Sequence, residues 1–285
     1  MINKNEITII VPTLDSERNA YALNECLTSL FESNFPRENI IIALNGEKNN
    51  KIKTKGTKLV WVRDQGQCKS TNAAVATVNT PWIMVTNDDH VYPPNWFERL
   101  TDFSWFGKKD VVCVSPQLVE PNDGAPTFIK YFCGGVGGDW DKEKFMEFAK
   151  NRHIATPGKW RPGFNLPFLM KKEVWDMVGG YDVELDPFSS NSDSDLEYKL
   201  KLAGVEMWQN TNCPVYHFSQ TSGIFHPSKR SYWQKNWDYF IEKWGFERAS
   251  SPEIWDTSFE IDYDKLKYRP KWMKLPQEND SKVAK

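Results

Sequence analysis

The chain has 285 residues, 40% hydrophobic and 26% charged, the proportions of an ordinary folded protein rather than a disordered or fibrous one. Its 36 Lys and Arg against 38 Asp and Glu leave a net charge of −2, so no basic field exists to hold a polyanion and nucleic acid is excluded as a partner. Five scattered cysteines (Cys26, Cys68, Cys113, Cys133, Cys213) with no CxxC pair argue against a disulfide framework or a zinc site and for a reducing compartment.

The elements follow in chain order. Residues 7–11 read as a buried strand that ends at Pro12. Leu23, Cys26, Leu27, Leu30 and Phe31 recur at i, i+3, i+4, i+7 and i+8, one face of a helix. Residues 39–44 form a second strand stopped by Asn45-Gly46, and 58–62 a third. A short helix over 70–78 leads to a strand at 82–85. Strands alternating with helices imply right-handed crossovers and a parallel sheet.

The second half is less regular. Strands are expected at 111–115, 127–132 and 214–218, and helices at 142–150 and over the aromatic stretch 232–244. A further helix at 193–203 turns Leu196, Leu200 and Ala203 inward and stops at Gly204. The tail after about Pro270 is polar and Lys-rich and should fray. With a polar N-terminus and no apolar run of about 18 residues, the expectation is a soluble, cytoplasmic protein without a leader. Thirteen Trp is high for this length. Sugar rings stack on aromatic faces, so a carbohydrate ligand gains weight.

The strand at 82–85 runs straight into Asn87-Asp88-Asp89-His90. Open α/β sheets bind ligands at the carboxyl ends of their strands. Two carboxylates there attract a hard divalent cation, a natural clamp for a diphosphate. An isolated Asp-Asp pair is more often a solvated turn, here ahead of a helix at 93–96, so the context decides. Phosphate loops are excluded: no GxxxxGK[ST] occurs, and in Gly134-Gly135-Val136-Gly137-Gly138 the last GxGxxG position falls on Trp140.

The ordered blocks resemble those of glycosyltransferase family 2, of GT-A fold, most closely its rhamnosyltransferase-like members. The resemblance spans about residues 5–245. Ile9-Ile10-Val11-Pro12-Thr13 looks like the opening strand and nucleotide turn, and Gly66 with Asn72 like a nucleotide-pocket block. Asn87 to Trp96 resembles the metal motif and its following helix. Gly179-Gly180-Tyr181-Asp182, Asp193-Ser194-Asp195-Leu196, His217 and Lys243-Trp244-Gly245 follow in the family's order.

The resemblance implies a Rossmann-like, mostly parallel sheet flanked by helices, with a helical, aromatic C-terminal extension. Residues 1–225 would form the transferase domain, with a nucleotide-binding half at about 1–105 and an acceptor half at about 106–225. Residues 226–285 would be the extension and tail. The implied activity is metal-dependent, inverting transfer of a sugar from a nucleotide diphosphate to a hydroxyl of a saccharide or lipid-linked glycan. Pro12, Thr13, Asp15, Asn45, Lys69, Asn72, Asn87 and Asp88 would line the nucleotide pocket. Asp89 and His217 would hold Mn²⁺ or Mg²⁺, with His226 a weaker substitute for His217. Asp193 would be the general base. The family often has Glu just before that Asp where this chain has Ser192, so Asp195 stays open as the base.

The family's second strand commonly ends in an Asp that reads the base, and here that position is Leu44. A leucine cannot accept from a base N–H, which leaves the carrier open among UDP, dTDP and GDP. Trp160-Arg161 would lie on the acceptor side, and His90 and His153 on the surface. Lys265, Lys267, Arg269, Lys271 and Lys274 interleave with Tyr268, Trp272 and Met273. That pattern suits either a solvated tail or peripheral contact with an anionic membrane face. Rival readings are a sugar nucleotidyltransferase and a non-catalytic GT-A-like module that binds glycan or a partner protein.

Overall fold

A computed structural model describes residues 2–103, 113–121, 128–136, 138–155, 160–219, 227–248 and 257–274, excluding the side chains of residues 153–155 and 227. In its first half β1 (Ile7–Leu14), α1 (Glu17–Glu32), β2 (Ile40–Asn45), β3 (Lys58–Val62), α2 (Gln67–Val75) and β4 (Trp82–Val85) follow the expected alternation. The short β5 (His90–Val91) and α3 (Trp96–Thr101) come next, then β6 (Cys113–Glu120), β7 (Ile129–Lys130) and α4 (Lys142–Ala155). β8 (Trp160–Pro162), β9 (Phe168–Lys171), α5 (Lys172–Val178), α6 (Ser192–Leu202), β10 (Met207–His217) and α7 (Arg230–Trp244) complete the set.

One sheet of ten strands runs in the order β3-β2-β1-β4-β9-β6-β10-β5, with β7 added to β6 and β8 to β10. β1, β2, β3 and β4 pair parallel, as do β6 and β10. The sheet is not purely parallel. β9 inserts antiparallel between β4 and β6, and because it reverses twice, β6 and β10 run in the direction of β4. The carboxyl ends of β1, β4, β6 and β10 therefore lie along one edge. No sequence pattern marks β9, because four residues, Phe168–Lys171, are too few to separate a buried strand from the helix that follows. β10 was expected to begin at Pro214 but starts at Met207. A register shift between Asn210 and Pro214 is the irregularity that admits a proline inside a strand.

Ile9, Val11, Ile40, Ile42 and Met84 meet Leu23, Leu27 and Leu30 of α1 on one side of the sheet. Ile10, Ile41, Ile83, Val85 and Phe168 meet α2, α5 and α6 on the other. At ~25 cal/mol per Å² of apolar surface, these two layers dominate the fold's stabilisation and hold the strand ends rigid. α7 adds to α6 through Tyr198, Leu202, Phe240 and Trp244. Tyr268, Trp272 and Met273, each partly buried, pack on this same cluster. No helix among the described residues is long and apolar enough to cross a membrane.

Candidate metal centre and active site

The shared edge brings together residues far apart in sequence. β1 ends near Thr13, β4 runs into Asp88 and Asp89, β6 ends at Glu120 and β10 at His217. The turn after β4 reverses into β5, which pairs His90 directly with His217, and the Phe218 N–H donates to the Asp89 carbonyl (3.0 Å). His90, expected at the surface, is fully buried. The expectation failed because β5 is only two residues long and carries no periodic signal. The side chain of His153 and all of His226 lie outside the described residues.

Asp88 and Asp89 have separate surroundings. Asp88 Oδ2 accepts from Thr13 Oγ1 (2.5 Å) and Asn19 Nδ2 (2.8 Å). Burial, then the neighbouring Asp89 charge, raises the Asp88 pKa above the usual carboxylate range, while those two donors oppose the shift. Asp89 Oδ2 instead lies 3.3 Å from His217 Nε2, and Glu120 Oε1 lies 2.6 Å from His217 Nδ1. Burial works against the His217 cation, but Asp89 and Glu120 outweigh it and hold its pKa up at about 10. Burial pushes His90 down to about 3, helped by His217.

Asp89, His90 and His217 each place a donor atom within 4.8 Å of the others. The His90 Nδ1 lies 2.9 Å from Thr86 Oγ1, whereas its buried Nε2 has no hydrogen-bond partner among the described residues. A buried ring nitrogen in that state calls for a partner. Glu120 behind His217 is the carboxylate–imidazole pairing that orients a metal-ligating histidine. This donor set fits a divalent cation. Neither His90 nor Glu120 is marked as a site residue by the sequence; three strands lie between Glu120 and His217 in the chain, and no local pattern joins them.

The expected nucleotide residues are brought to the same edge but mostly hold it together. Pro12 is buried in β1 opposite Ala43. Asn45 donates to the Thr13 carbonyl (2.9 Å) and accepts from the Gly66 N–H (3.1 Å). Asp15 accepts four backbone N–H bonds, from Asn49, Asn50, Lys51 and Ile52. Burial resists the Asp15 charge, yet those donors win and lower its pKa. Asn72 clasps Tyr181 through both its carbonyl (2.8 Å) and its N–H (3.0 Å). Lys69 reaches Asp64 at 3.6 Å and stays partly exposed. Asn87 accepts from Gln67 Nε2 (3.1 Å).

α2 connects this edge to the expected base. Gln67 in its first turn holds Asn87, and the adjacent Cys68 donates through Sγ to Ser189 Oγ (3.4 Å), in the loop that leads into α6. The helix's own N-terminal amides are not open to a phosphate, because Asp186 accepts from Cys68 and Lys69 (both 3.0 Å). Asp193 lies in the first turn of α6, half-buried, and accepts from Tyr181 Oη (3.1 Å). Burial pushes its pKa up to about 6, against the Tyr181 hydrogen bond and Arg248. Asp195, the alternative, is 1% exposed. It is enclosed by Lys243 (2.6 Å), Trp244 Nε1 (2.9 Å) and Lys199 (3.3 Å). Trp160 and Arg161 pair with Asn210 and Gln209 in the first part of β10, at the end of that strand opposite His217, so they do not flank this site.

A sequence model described as glycosyl transferase family 2 matches residues 8–164, more than half of the chain. The succinoglycan biosynthesis protein ExoA of Rhizobium meliloti (strain 1021) is 25% identical over 248 residues, which cover 79% of this chain and 66% of ExoA. The chain thus spans just under two thirds of that relative. Among solved structures, the mannosyltransferase PcManGT from Pyrobaculum calidifontis, in complex with GDP-Man and Mn²⁺, aligns with a TM-score of 0.53 and 15% identity over 87% of this chain and 66% of its own. GalNAc-T7 with UDP, GalNAc and Mn²⁺ aligns with a TM-score of 0.55 and 16% identity over 83% of this chain and 48% of its own. Both share the GT-A fold expected from the sequence.

Proposed function

Because the chain belongs to glycosyl transferase family 2, we propose that it is a metal-dependent, inverting glycosyltransferase using a nucleotide-diphosphate sugar. The observation that carries this reading is the meeting of Asp89, His90 and His217 at one strand edge, linked through the first turn of α2 to the half-buried Asp193. Residues 1–225 act as the transferase domain and 226–285 as an extension, whose α7 and described residues 257–274 brace α6. The acceptor is a hydroxyl of a saccharide or lipid-linked glycan, in keeping with the succinoglycan biosynthesis named for ExoA.

Asp89, His217 and His90 would hold the cation. The mixture of imidazole and carboxylate donors suits Mn²⁺ better than Mg²⁺, which favours oxygen ligands, and both structural neighbours were solved with Mn²⁺. When bound, the ion supplies positive charge against the diphosphate oxygens as the leaving group departs. Asp88 is held away from the cation by Thr13 and Asn19 and shapes the ribose and diphosphate side of the pocket with Asn87. Pro12, Thr13, Asp15, Asn45, Lys69 and Asn72 build its walls. Leu44 is buried at 3% exposure and offers a nucleobase no polar group, so the carrier stays open among UDP, dTDP and GDP.

Asp193 accepts the acceptor hydroxyl's proton as that oxygen forms a bond to the anomeric carbon. The bond from that carbon to the diphosphate breaks on the opposite face, and its electron pair leaves with the nucleotide, which inverts the configuration. Tyr181 holds the carboxylate in place, and its raised pKa makes it a stronger base than an exposed aspartate.

Thermal melts with UDP, dTDP and GDP, each with Mn²⁺, Mg²⁺ or chelator, test the reading. One nucleotide with Mn²⁺ at ~100 times its dissociation constant should add about 2.7 kcal/mol. Chelation or Asp89→Ala should remove that gain. No gain with any nucleotide would sink the proposal and favour a binding module.

A further inference from the structure

We propose that the edge strand β3, with the lysine-rich loop before it, is a docking surface for an anionic lipid bilayer. This surface lies apart from the metal centre and Asp193, and its docking goes beyond the glycosyl-transfer reading.

The near-zero charge of the chain hides an uneven distribution. Residues 37–64 hold seven cations against Glu38, Glu47 and Asp64, a net +4 in a chain whose total is −2. Such asymmetry marks a face that meets anions. Lys51 pairs with Glu17 (2.9 Å), and Asp64 pairs with Lys69 (3.6 Å). The other six cations, Arg37, Lys48, Lys53, Lys55, Lys58 and Arg63, are all exposed and, among the described residues, meet no carboxylate.

The fold fixes these cations along one surface. Asp15 pins the loop through the N–H groups of residues 49–52, and Thr57 Oγ1 closes it on the Thr54 carbonyl (2.7 Å). Arg37 donates to the Lys55 carbonyl (2.6 Å) just before β3. Near the other end of the strand, the Lys48 ammonium lies 4.1 Å over the Trp61 ring. β3 ends the sheet and pairs with β2 on one side only. Leu59 and Trp61, two residues apart and so on one face of the strand, are 42% and 43% exposed. The Trp61 indole N–H donates to the Gly46 carbonyl (2.9 Å), which holds the ring in place.

The mixture of groups selects the occupant. Cations around an exposed Trp and Leu match a headgroup layer, where phosphates meet the ammonium groups and the glycerol region takes the apolar side chains. A soluble polyanion uses the charge but leaves Leu59 in water. A second copy paired along β3 sets Lys58 and its neighbours against the same cations, the arrangement that keeps edge strands apart. The Val62 carbonyl accepts from the Gly46 N–H (3.0 Å), so the alternate main-chain groups of Leu59 and Trp61 point to the open edge. Unpaired amides need polar partners, which puts the contact at headgroup depth rather than in hydrocarbon. The C-terminal tail is a poorer match: Lys265 is paired with Asp262 (3.0 Å), and Arg269 donates to the Leu266 and Tyr263 carbonyls (3.1 and 2.8 Å). β3 and β4 are three strands apart in the sheet, about 14 Å, so docking brings the lipid surface near the metal centre, where a lipid-linked acceptor would be used.

The full chain, without nucleotide or metal, is sedimented with vesicles of phosphatidylcholine alone and of phosphatidylcholine mixed with phosphatidylglycerol. It should bind the mixed vesicles only, and about 1 M salt, where the Debye length falls to about 3 Å, should release it. Lys53→Gln, Lys55→Gln and Lys58→Gln together should lower the partition about 100-fold, and Leu59→Ser about fivefold. Lys265→Gln, Lys267→Gln and Lys271→Gln together should leave it unchanged. Melting temperatures should stay at the native value, because these side chains are exposed; if the triple loop variant melts early, Lys53→Gln with Lys58→Gln replaces it, with a loss of about 30-fold. No binding to the mixed vesicles, equal binding to phosphatidylcholine alone, or undiminished binding in the loop variant overturns the surface. So does loss of binding in the tail variant. So does loop-dependent binding to soluble dextran sulfate without vesicle binding, or conversion of a native dimer to a monomer by Leu59→Ser, which would make the edge a contact between copies. A chain that binds vesicles but gains no stability from any nucleotide keeps this surface and loses the transferase reading; the reverse result removes this surface alone.

Discussion

Asp193 and Asp195 share one helical turn, yet their surroundings separate their roles. Asp193 has one neutral donor, Tyr181, and is half-buried; Asp195 is closed in by two ammonium groups and an indole N–H. Asp193→Asn should keep nucleotide affinity and lower turnover by about 10²–10⁴-fold, measured by steady-state release of the nucleoside diphosphate. Asp195→Asn should act on stability instead, costing about 3 kcal/mol in a denaturant melt because Lys199 and Lys243 lose a buried counter-charge. The pH profile follows from the same environment. Only ionised Asp193 can accept a proton, and burial sets its pKa at about 6. Thus kcat/KM should be full above about pH 6 and fall about tenfold per unit below it. A flat profile down to pH 4.5 would remove Asp193 as the base.

Between elements, the site depends on contacts that cross strands and helices. Glu120 at the end of β6 orients His217 at the end of β10. Glu120→Gln should weaken Mn²⁺ binding about 10–100-fold, read by calorimetry. At the start of α2, Asp186 takes the place of a local cap. Gly66 has room for no side chain there, since an added Cβ would fall 2.2 Å from Asp186 Oδ2. Gly66→Ala should therefore displace the cap and destabilise the fold by about 1–3 kcal/mol, with the loss visible in the melting temperature. Lys243 joins α7 to both Asp182 and Asp195 at 2.6 Å. The Lys-Trp-Gly block is thus a brace for the helix that carries the base.

For the whole molecule, the sheet direction decides where chemistry happens. Seven strands running one way bring their carboxyl ends to one edge, and β9 preserves that direction by reversing between β4 and β6. Legible in sequence were the features set by short-range pattern. They include the strands at 58–62 and 82–85, the helix that carries Asp193, the Asp88-Asp89 turn at a strand end, and the family's ordered blocks. The elements depend on side-chain periodicity or on turn residues a few positions apart, and the blocks on likeness to the family's residues, all of them properties of the chain itself. Tertiary structure alone decided that His90 is buried opposite His217 and that Glu120 stands behind it. It also decided that Asp15, Asn45 and Asn72 brace loops, that Asp195 is enclosed, and that the tail's aromatic rings pack on α6 and α7. These depend on which distant segments meet, and neither burial nor a hydrogen-bond partner is encoded in the spacing of residues along a single element.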